Sequence, residues 1–199
     1  MARKVAVKRV KRRILAVVEG KVTEPQYLKR LHRDHRDSVD LVVKQKHTDP
    51  LGIVEYAKRT VREEGGRNVF DEVWLVFDQD EHPEVERACT EGLAAGYLLA
   101  FSNPCIELWF LLHFEDQTAW IDRHAAQRES ETHLGCLKAL TSDALSVLIA
   151  RYEIAKAHAH ALTERHIGDG SSARANPSST MWSLAESIKR RPLEQEVGD

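Results

Sequence analysis

Four short and mostly apolar runs punctuate the first half of the chain, at residues 14–18, 39–43, 73–77 and 97–101. Runs of this length with few polar interruptions are typical of strands that are buried on both faces of a sheet. Between them, apolar residues recur every three or four positions, which predicts helices. Because strands and helices alternate at this spacing, we expect right-handed crossovers and an α/β fold with a mostly parallel four-stranded sheet flanked by helices.

Capping residues indicate where the first two helices begin and end. Thr23 is a candidate N-cap with Pro25 just inside the helix, and Asp49 precedes Pro50 in a similar arrangement. The glycines at 65–66 predict the end of the second helix.

The pattern changes after residue 102, where strands are no longer indicated. Asn103 is a candidate N-cap, and Pro104 opens a helix whose residues 106–112 are hydrophobic on nearly every side, so we expect it to be buried. Residues 115–131 are polar and are predicted to form a loop or insertion. The apolar spacing over residues 145–162 predicts a single amphipathic helix.

These patterns divide the chain into three parts. We expect a basic N-terminal arm at residues 1–13, an α/β core at residues 14–114, and a helical extension at residues 115–199 that packs on the core.

The N-terminus carries a local excess of positive charge that the overall composition hides. The chain has 199 residues and a net charge of −2, yet seven of its first thirteen residues are basic. A solvated terminus and a phosphate-binding arm both explain this excess. Under the second interpretation, the nucleic-acid contacts are made by Lys8, Arg9, Lys11, Arg12 and Arg13.

Composition and cysteine usage are those of a cytoplasmic protein. The three cysteines lack CxxC spacing and are odd in number, which is typical of reduced thiols. No stretch approaches the ~20 apolar residues of a membrane span. The apolar run at residues 14–18 is too short for the core of a signal peptide. We therefore expect a cytoplasmic location.

Acidic residues follow two of the predicted strands. Glu19 comes directly after the first strand, and Asp78 and Asp80 follow the third. Ligands of an open parallel sheet bind just outside the carboxyl ends of its strands, so these carboxylates are expected to meet there. Three convergent carboxylates repel one another unless a hard cation such as Mg²⁺ or Mn²⁺ binds them. The alternative is that Glu19 caps the next helix and that the aspartates are turn residues, but the spacing favours a metal site.

Two glutamates in first helical turns are further candidates. Glu24 and Glu107 each occupy a position where a carboxylate complements the helix dipole, and that is the simpler role. Both helices, however, start at the sheet edge that carries Glu19. We therefore count Glu107 among the catalytic candidates and Glu24 among the residues that support the metal or bind substrate.

Three basic side chains are candidates for substrate binding or support. Lys21, just past the first strand, would neutralise transition-state charge or be a solvated turn residue. His82, after the aspartates, would contact phosphate or metal. His113 would act as a general acid or base, although a core histidine bonded to a backbone carbonyl is the favoured role.

The chain resembles the RloB-like family, which belongs to the TOPRIM superfamily of metal-dependent nucleases, topoisomerases and primases. The segments that carry the resemblance are 19–27 (EGKVTEPQY), 48–50 (TDP), 73–82 (VWLVFDQDEH), 102–114 (SNPCIELWFLLHF) and 176–180 (NPSST). The resemblance implies a TOPRIM-like fold, with Glu19 as the acidic residue after the first strand and Asp78 and Asp80 as the DxD pair that binds Mg²⁺. One departure is Gln79, which stands where we expect an arginine between the two aspartates.

The same resemblance implies a biological setting. RloB-like genes lie near restriction-modification or phage-defence loci, often beside an ABC-type ATPase. This context implies an antiviral nuclease that cleaves DNA or RNA. In such a nuclease, Asp80 or a metal-bound water would assist deprotonation of the nucleophile. The chain itself has no GxxxxGK[ST] motif, so we do not expect it to hydrolyse ATP.

Two alternatives to a nuclease remain. An apolar strand that ends in DxD also resembles the haloacid-dehalogenase phosphatases, in which the first aspartate is a covalent nucleophile, but the residues that follow in those enzymes differ from Glu81, His82 and Pro83. The other alternative is a non-catalytic nucleic-acid-binding or regulatory subunit of an ABC-type ATPase complex, docked through its helical tail.

Overall fold

A five-stranded sheet with the strand order β2-β1-β3-β4-β5 forms the centre of the molecule. The structure, a computed structural model, describes residues 11–46, 49–79 and 83–190. The strands are β1 (Arg12–Val18), β2 (Val39–Gln45), β3 (Glu72–Asp78), β4 (Leu98–Asn103) and β5 (Ser178–Ser179). The first four are parallel, and β5 runs antiparallel to β4. β1 and β3 are the most completely buried strands, because each has a long strand on both sides, whereas β4 has only the two-residue β5 on its outer side.

Eight α-helices and one 3-10 turn, at Arg67–Val69, are present in the described part of the chain. The helices are α1 (Thr23–Arg33), α2 (Pro50–Glu63), α3 (Val85–Ala94), α4 (Ile106–Leu111), α5 (Arg123–Leu134), α6 (Ser142–Ala150), α7 (Tyr152–Gly168) and α8 (Met181–Lys189). Among these, none is long and apolar enough to cross a membrane.

Alternate residues of the central strands pack into two separate cores, because successive side chains of a strand point to opposite faces. One face packs against α1, α4 and α8, and the other against α2 and α3. The first core contains Ile14, Ala16, Val18, Trp74 and Val76, and the second contains Leu15, Val17, Leu75 and Phe77. Burial on both faces explains why β1 and β3 carry apolar side chains at consecutive positions.

The mostly parallel α/β sheet is confirmed, but the predicted number of strands was wrong. The fifth strand, β5, has only two residues, both serine. Ser178 and Ser179 pair with Asn103 and Ser102, and the Ser102 and Ser179 hydroxyls lie 2.9 Å apart. A two-residue strand without apolar side chains has no periodicity to detect, so pattern analysis could not find it.

The helical pattern after residue 114 also differs from the prediction. The segment predicted as a loop contains α5, which begins at Arg123 because the Asp122 side chain accepts a hydrogen bond from the Ala125 N–H at 3.0 Å. The helix predicted over residues 145–162 is two helices, α6 and α7, which meet at Arg151. The apolar spacing continues across the junction, which is why it suggested one helix.

Two predicted caps have other roles. Asn103 does not cap α4, because its amide nitrogen donates to the Arg174 carbonyl at 2.8 Å and the residue before the helix is Cys105. Thr23 is the first residue of α1 rather than its N-cap, and its hydroxyl donates to the Lys138 carbonyl at 3.0 Å. In both cases a contact with a distant segment replaces the local cap. Asp49 caps α2 as predicted, accepting from the Gly52 N–H at 2.9 Å.

The C-terminal segment is part of the same body as the sheet. It contributes β5, and α8 packs on β4 and α1. At the other end, β1 begins at Arg12, inside the segment predicted as an arm, while residues 1–10, with Lys8 and Arg9, lie outside the described residues.

The centre of β3 gives a direct test of the two-core arrangement. Leu75 is fully buried between β1 and β4, whereas Leu93 on α3 is 57% exposed. We expect Leu75→Ala to lower the free energy of unfolding by about 3 kcal/mol, because it leaves a cavity. The matched change Leu93→Ala should alter it by less than about 0.5 kcal/mol. Urea denaturation followed by circular dichroism measures both, and equal effects would contradict the assignment of β3 to the core.

Candidate acidic site at the carboxyl end of the sheet

Four carboxylates gather where the parallel strands end. Asp78 is the last residue of β3, and Glu19 follows β1, held beside β3 because its backbone N–H donates to the Val76 carbonyl at 3.1 Å. Glu24 lies in the first turn of α1 and Glu107 in the first turn of α4. Both helices begin just after a parallel strand, at the carboxyl end of the sheet, and both glutamates interact electrostatically with Asp78.

Glu24 is bound tightly over the turn that joins β1 to α1. Its side chain is almost fully buried, and its Oε1 accepts a hydrogen bond from the Gly20 N–H at 3.0 Å. A Cβ atom at Gly20 would overlap the Glu24 carboxylate. Glycine at position 20 therefore allows the carboxylate to approach the backbone, and Glu24 does more than complement the dipole of α1.

The carboxylates of this cluster repel one another. Burial, and then the negative charges of Glu24, Glu107 and Glu19, raise the pKa of Asp78 well above its ordinary value, against a lowering effect of Arg123. The pKa of Glu24 is raised mainly by burial, and further by Glu107 and Glu19, although hydrogen bonds from backbone N–H groups lower it. Burial, followed by Glu107 and Asp78, also raises the pKa of the Cys105 thiol. The site thus concentrates negative charge where water is largely excluded.

An arginine from the polar segment at residues 115–131 lies in the site. Arg123, the first residue of α5, places its Nη2 3.3 Å from the Asp78 Oδ2. The Asp78 side chain is 14% exposed and that of Arg123 is 42% exposed, so the arginine lies on the solvent side of the carboxylate. Arg123 was missed because it lies in the polar segment that was predicted as a loop, where nothing in the spacing marks it.

Asn176 holds the segment that carries Arg123. Its amide nitrogen donates to the Ile121 carbonyl at 2.8 Å, and its Oδ1 accepts from the Ile121 N–H at 3.0 Å. These two bonds fix the backbone two residues before Arg123. The Asn-Pro-Ser-Ser segment therefore acts as a brace, through Asn176 on the Arg123 segment and through β5 on the end of β4.

A family model described as RloB-like protein matches residues 14–188. The chain belongs to the RloB-like family. The match runs from β1 to α8, so it includes all four carboxylates, Arg123 and the Asn176 brace. Comparison of this RloB-like chain with curated proteins and with solved structures gives no match.

Several predicted site residues cannot be placed in this RloB-like site. Asp80 and His82 lie outside the described residues, so the predicted set of Glu19, Asp78 and Asp80 stays a prediction. Within residues 11–46, 49–79 and 83–190, no group of three histidine, cysteine or acidic side chains has the arrangement needed to hold a metal ion. Lys21 is exposed in the turn after Gly20.

His113 lies in the core. It is fully buried, its Nδ1 is 2.8 Å from the Trp109 carbonyl oxygen, and its ring stands edge-on to Trp109 and Tyr27. Burial lowers the pKa of His113 to about 4, so the imidazole is neutral at physiological pH. This is the structural role that the sequence favoured over a general acid or base.

The described basic residues of the predicted arm differ in their surroundings. The guanidinium of Arg12 binds Glu72 at 2.8 Å, and that of Arg13 binds Glu64 and Asp40, both at 3.2 Å. Both arginines are therefore engaged by carboxylates within the folded chain. Lys11 is exposed, and its ammonium donates to the Arg36 carbonyl at 2.7 Å.

The raised pKa of Asp78 makes its carboxylate a cost to the folded state. The folded chain holds the Asp78 proton more tightly than the unfolded chain does, so the free energy of unfolding falls as the pH rises from the unfolded pKa through the higher folded pKa. We expect Asp78→Asn to raise the free energy of unfolding at about pH 7.5 by on the order of 1 kcal/mol. Below about pH 4, where the carboxyl is protonated in both states, the gain should shrink.

Urea denaturation of Asp78→Asn across this pH range measures the gain, with Asp116→Asn, at an exposed aspartate, as the control. A gain that did not change with pH, or a loss at neutral pH, would contradict the charge repulsion described above.

The close approach at Gly20 gives a separate test. We expect Gly20→Ala to cost about 1–3 kcal/mol, because the new methyl group overlaps the Glu24 carboxylate. Gly168→Ala, in the last turn of α7, meets no atom within 4 Å and should be neutral or slightly stabilising. In a Glu24→Ala background the cost of Gly20→Ala should largely disappear. Thermal unfolding of the wild type, the two single variants and the double variant measures this coupling. An unchanged cost would mean that the overlap with Glu24 is not its cause.

Proposed function

We propose that this RloB-like protein is a Mg²⁺- or Mn²⁺-dependent nuclease with a TOPRIM-like active site that cleaves phosphodiester bonds of DNA or RNA. The observation that carries the proposal is the cluster of Glu19, Glu24, Asp78 and Glu107 at the carboxyl end of the sheet. Burial and neighbouring negative charges raise the pKa of Asp78 and of Glu24, and carboxyl groups perturbed in this way cluster at functional sites.

The chemistry of the cluster fits a hard divalent cation. Its donors are carboxylate oxygens, which Mg²⁺ and Mn²⁺ prefer, and a cation would relieve the repulsion around Asp78. We assign Glu19, Asp78 and Asp80 as the residues that would hold the ion, with Asp80 supplying the ligand that the described residues lack. When bound, the ion would polarise the scissile phosphoryl group and stabilise the leaving oxygen.

Residues around the carboxylates have separate roles in this proposal. Glu107 is assigned to the catalytic set, and Glu24 fixes the β1–α1 turn and so positions Glu19. Arg123, on the solvent side of Asp78, is placed to donate to a phosphate oxygen of the substrate. Lys21 and His82 are assigned to substrate contacts. His113 is left out, because its ring is buried in the core.

Nucleic-acid binding is assigned to the basic N-terminus. Because Arg12 and Arg13 are engaged by Glu72, Glu64 and Asp40, the proposal rests on Lys8, Arg9 and Lys11 for phosphate contacts.

The biological part of the proposal rests on the family resemblance alone. We assign the protein to anti-phage defence, acting in the cytoplasm beside an ABC-type ATPase. The alternative is a non-catalytic subunit that binds nucleic acid or regulates such an ATPase.

Nuclease assays with purified protein test the proposal. Plasmid DNA, single-stranded DNA, transfer RNA and total RNA are incubated with Mg²⁺, Mn²⁺ or a chelator. We expect metal-dependent cleavage of at least one substrate, and a loss of about 100-fold or more in Glu19→Gln and Asp78→Asn, because both remove proposed metal ligands. Asp116→Asn serves as the charge-matched control and should retain activity.

Crystals soaked in Mn²⁺ test the metal site without an activity assay. Anomalous density between Glu19, Asp78 and Asp80 is the expected result. Density elsewhere, or none, would contradict the proposed ligands. A chain that cleaves no substrate, and whose activity in cells survives Asp78→Asn, would favour the non-catalytic alternative.

A further inference from the structure

We propose that the outer edge of β2 is a self-association surface, at which a second copy of the chain adds its own β2 antiparallel and extends the sheet. β2 is the outermost strand of the sheet and is seven residues long. Its inner edge pairs with β1, and no other strand of the described chain pairs with its outer edge. An open strand edge of this length is a template for another strand.

The backbone of β2 determines which groups face outward. Ser38 and Lys46, the residues that flank β2, bond toward β1: the Arg12 N–H donates to the Ser38 carbonyl and the Lys46 N–H to the Val18 carbonyl. Because the backbone groups of a strand alternate in direction, the even-numbered residues bond to β1 and the odd-numbered residues point outward.

Only the middle of the outward edge is available. The Val39 N–H donates to the His35 carbonyl at 3.2 Å, and the Val39 carbonyl lies 2.8 Å from the His32 Nε2. These contacts close the start of the strand. Leu41 and Val43 follow, and no described strand meets their outward N–H and carbonyl groups. The edge therefore offers a short ladder centred on Val42.

The side chains of β2 are complementary to themselves about that centre. In an antiparallel pair with a two-fold axis at Val42, Asp40 of each copy lies opposite Lys44 of the other, and Leu41 lies opposite Val43. Leu41 and Val43 then form the pairs that exchange two hydrogen bonds, which gives four bonds across the interface. Asp40 and Lys44 form the closer type of pair, whose side chains are on the same face and within reach of an ion pair.

This complementarity selects one register. Slips that keep the outward groups paired move the axis to Leu41 or to Val43. The first slip places Asp40 opposite Val42, and the second places Lys44 opposite Val42. Each slip would put a charge against an apolar side chain and would lose both Asp40–Lys44 ion pairs. The arrangement centred on Val42 alone pairs Asp40 with Lys44 and the two Val42 side chains with each other.

The charged partners are free to make these contacts. Asp40 is 54% exposed, and its contact with Arg13 uses one oxygen, Oδ2, at 3.2 Å. Lys44 makes no ion pair with any carboxylate in the described residues. Charged residues on an edge strand also serve to prevent pairing, but a strand protected in that way has no reason to place opposite charges at equal distances from its centre.

Pairing would also cover apolar surface. Leu41 and Val43 are half-buried against the core that contains α1, and Val42 is half-buried against the core that contains α2. The joined sheet would have five strands from each copy and continuous cores on both faces. Because the two β2 strands run in opposite directions, the acidic sites of the two copies would lie at opposite ends of this sheet.

Charge exchange between two variants tests the proposal with the full-length protein. Sedimentation equilibrium measures the dimer dissociation constant of the wild type up to about 0.5 mM. Asp40→Lys sets lysine against lysine at both pairs, and Lys44→Asp sets aspartate against aspartate. We expect each variant alone to dimerise about tenfold or more weakly than the wild type, and an equimolar mixture of the two to recover wild-type affinity as a heterodimer.

Arg165→Asp makes the same change of charge as Lys44→Asp and serves as its control. It lies on α7, which packs near β5 at the other end of the sheet, and it should not change the dissociation constant. Circular dichroism and melting temperature establish that every variant is folded, and the recovery in the mixture requires both variants to be folded. A wild type that is monomeric over the whole range would overturn the proposal. So would a dimer that neither variant weakens, or a mixture that does not recover.

Discussion

The parallel pairing of β1, β3 and β4 is the constraint on which the candidate site depends. It brings the carboxyl ends of these strands to one edge, so that Glu19 and Asp78 are neighbours although they are 59 positions apart in the sequence. The same connectivity starts α1 and α4 at that edge. Glu24 and Glu107, which lie in the first turns of these helices, are therefore part of the cluster.

The carboxylates at this edge repel one another, and this repulsion lowers the stability of the folded state. The rigid strands nevertheless hold them close together. The strands before Glu19 and Asp78 are buried on both faces, so their ends cannot move apart to relieve the repulsion. Glu24 is further held by the Gly20 N–H, and Arg123 offsets part of the charge of Asp78. Clusters of like charge are characteristic of functional sites, where binding of a ligand offsets the loss of stability.

The C-terminal half of the chain supports the carboxyl end of the sheet. β5 pairs with the last residues of β4, Asn176 fixes the segment before Arg123, and α8 covers the face that also carries α1. The RloB-like match extends through these elements to residue 188. The family match therefore covers the sheet and its C-terminal supports together.

The sequence by itself determined the elements whose signals are local. Unbroken apolar runs identified the buried strands, Asp49 identified the start of α2, and acidic residues after β1 and β3 identified the edge of the candidate site, because each of these depends on a few consecutive residues. The sequence also favoured a core role for His113, although the residue remained a candidate for the site until its burial was seen.

Tertiary structure alone decided the features that depend on distant contacts. Strand β5 exists only because Ser178 and Ser179 meet the end of β4, and Asn103 gives up its predicted cap for the Arg174 carbonyl. Arg123 reaches Asp78 across 45 positions of sequence, from a polar segment with no local signal. Periodicity reports how a residue relates to its neighbours in the chain, whereas these contacts depend on which segments the fold places side by side.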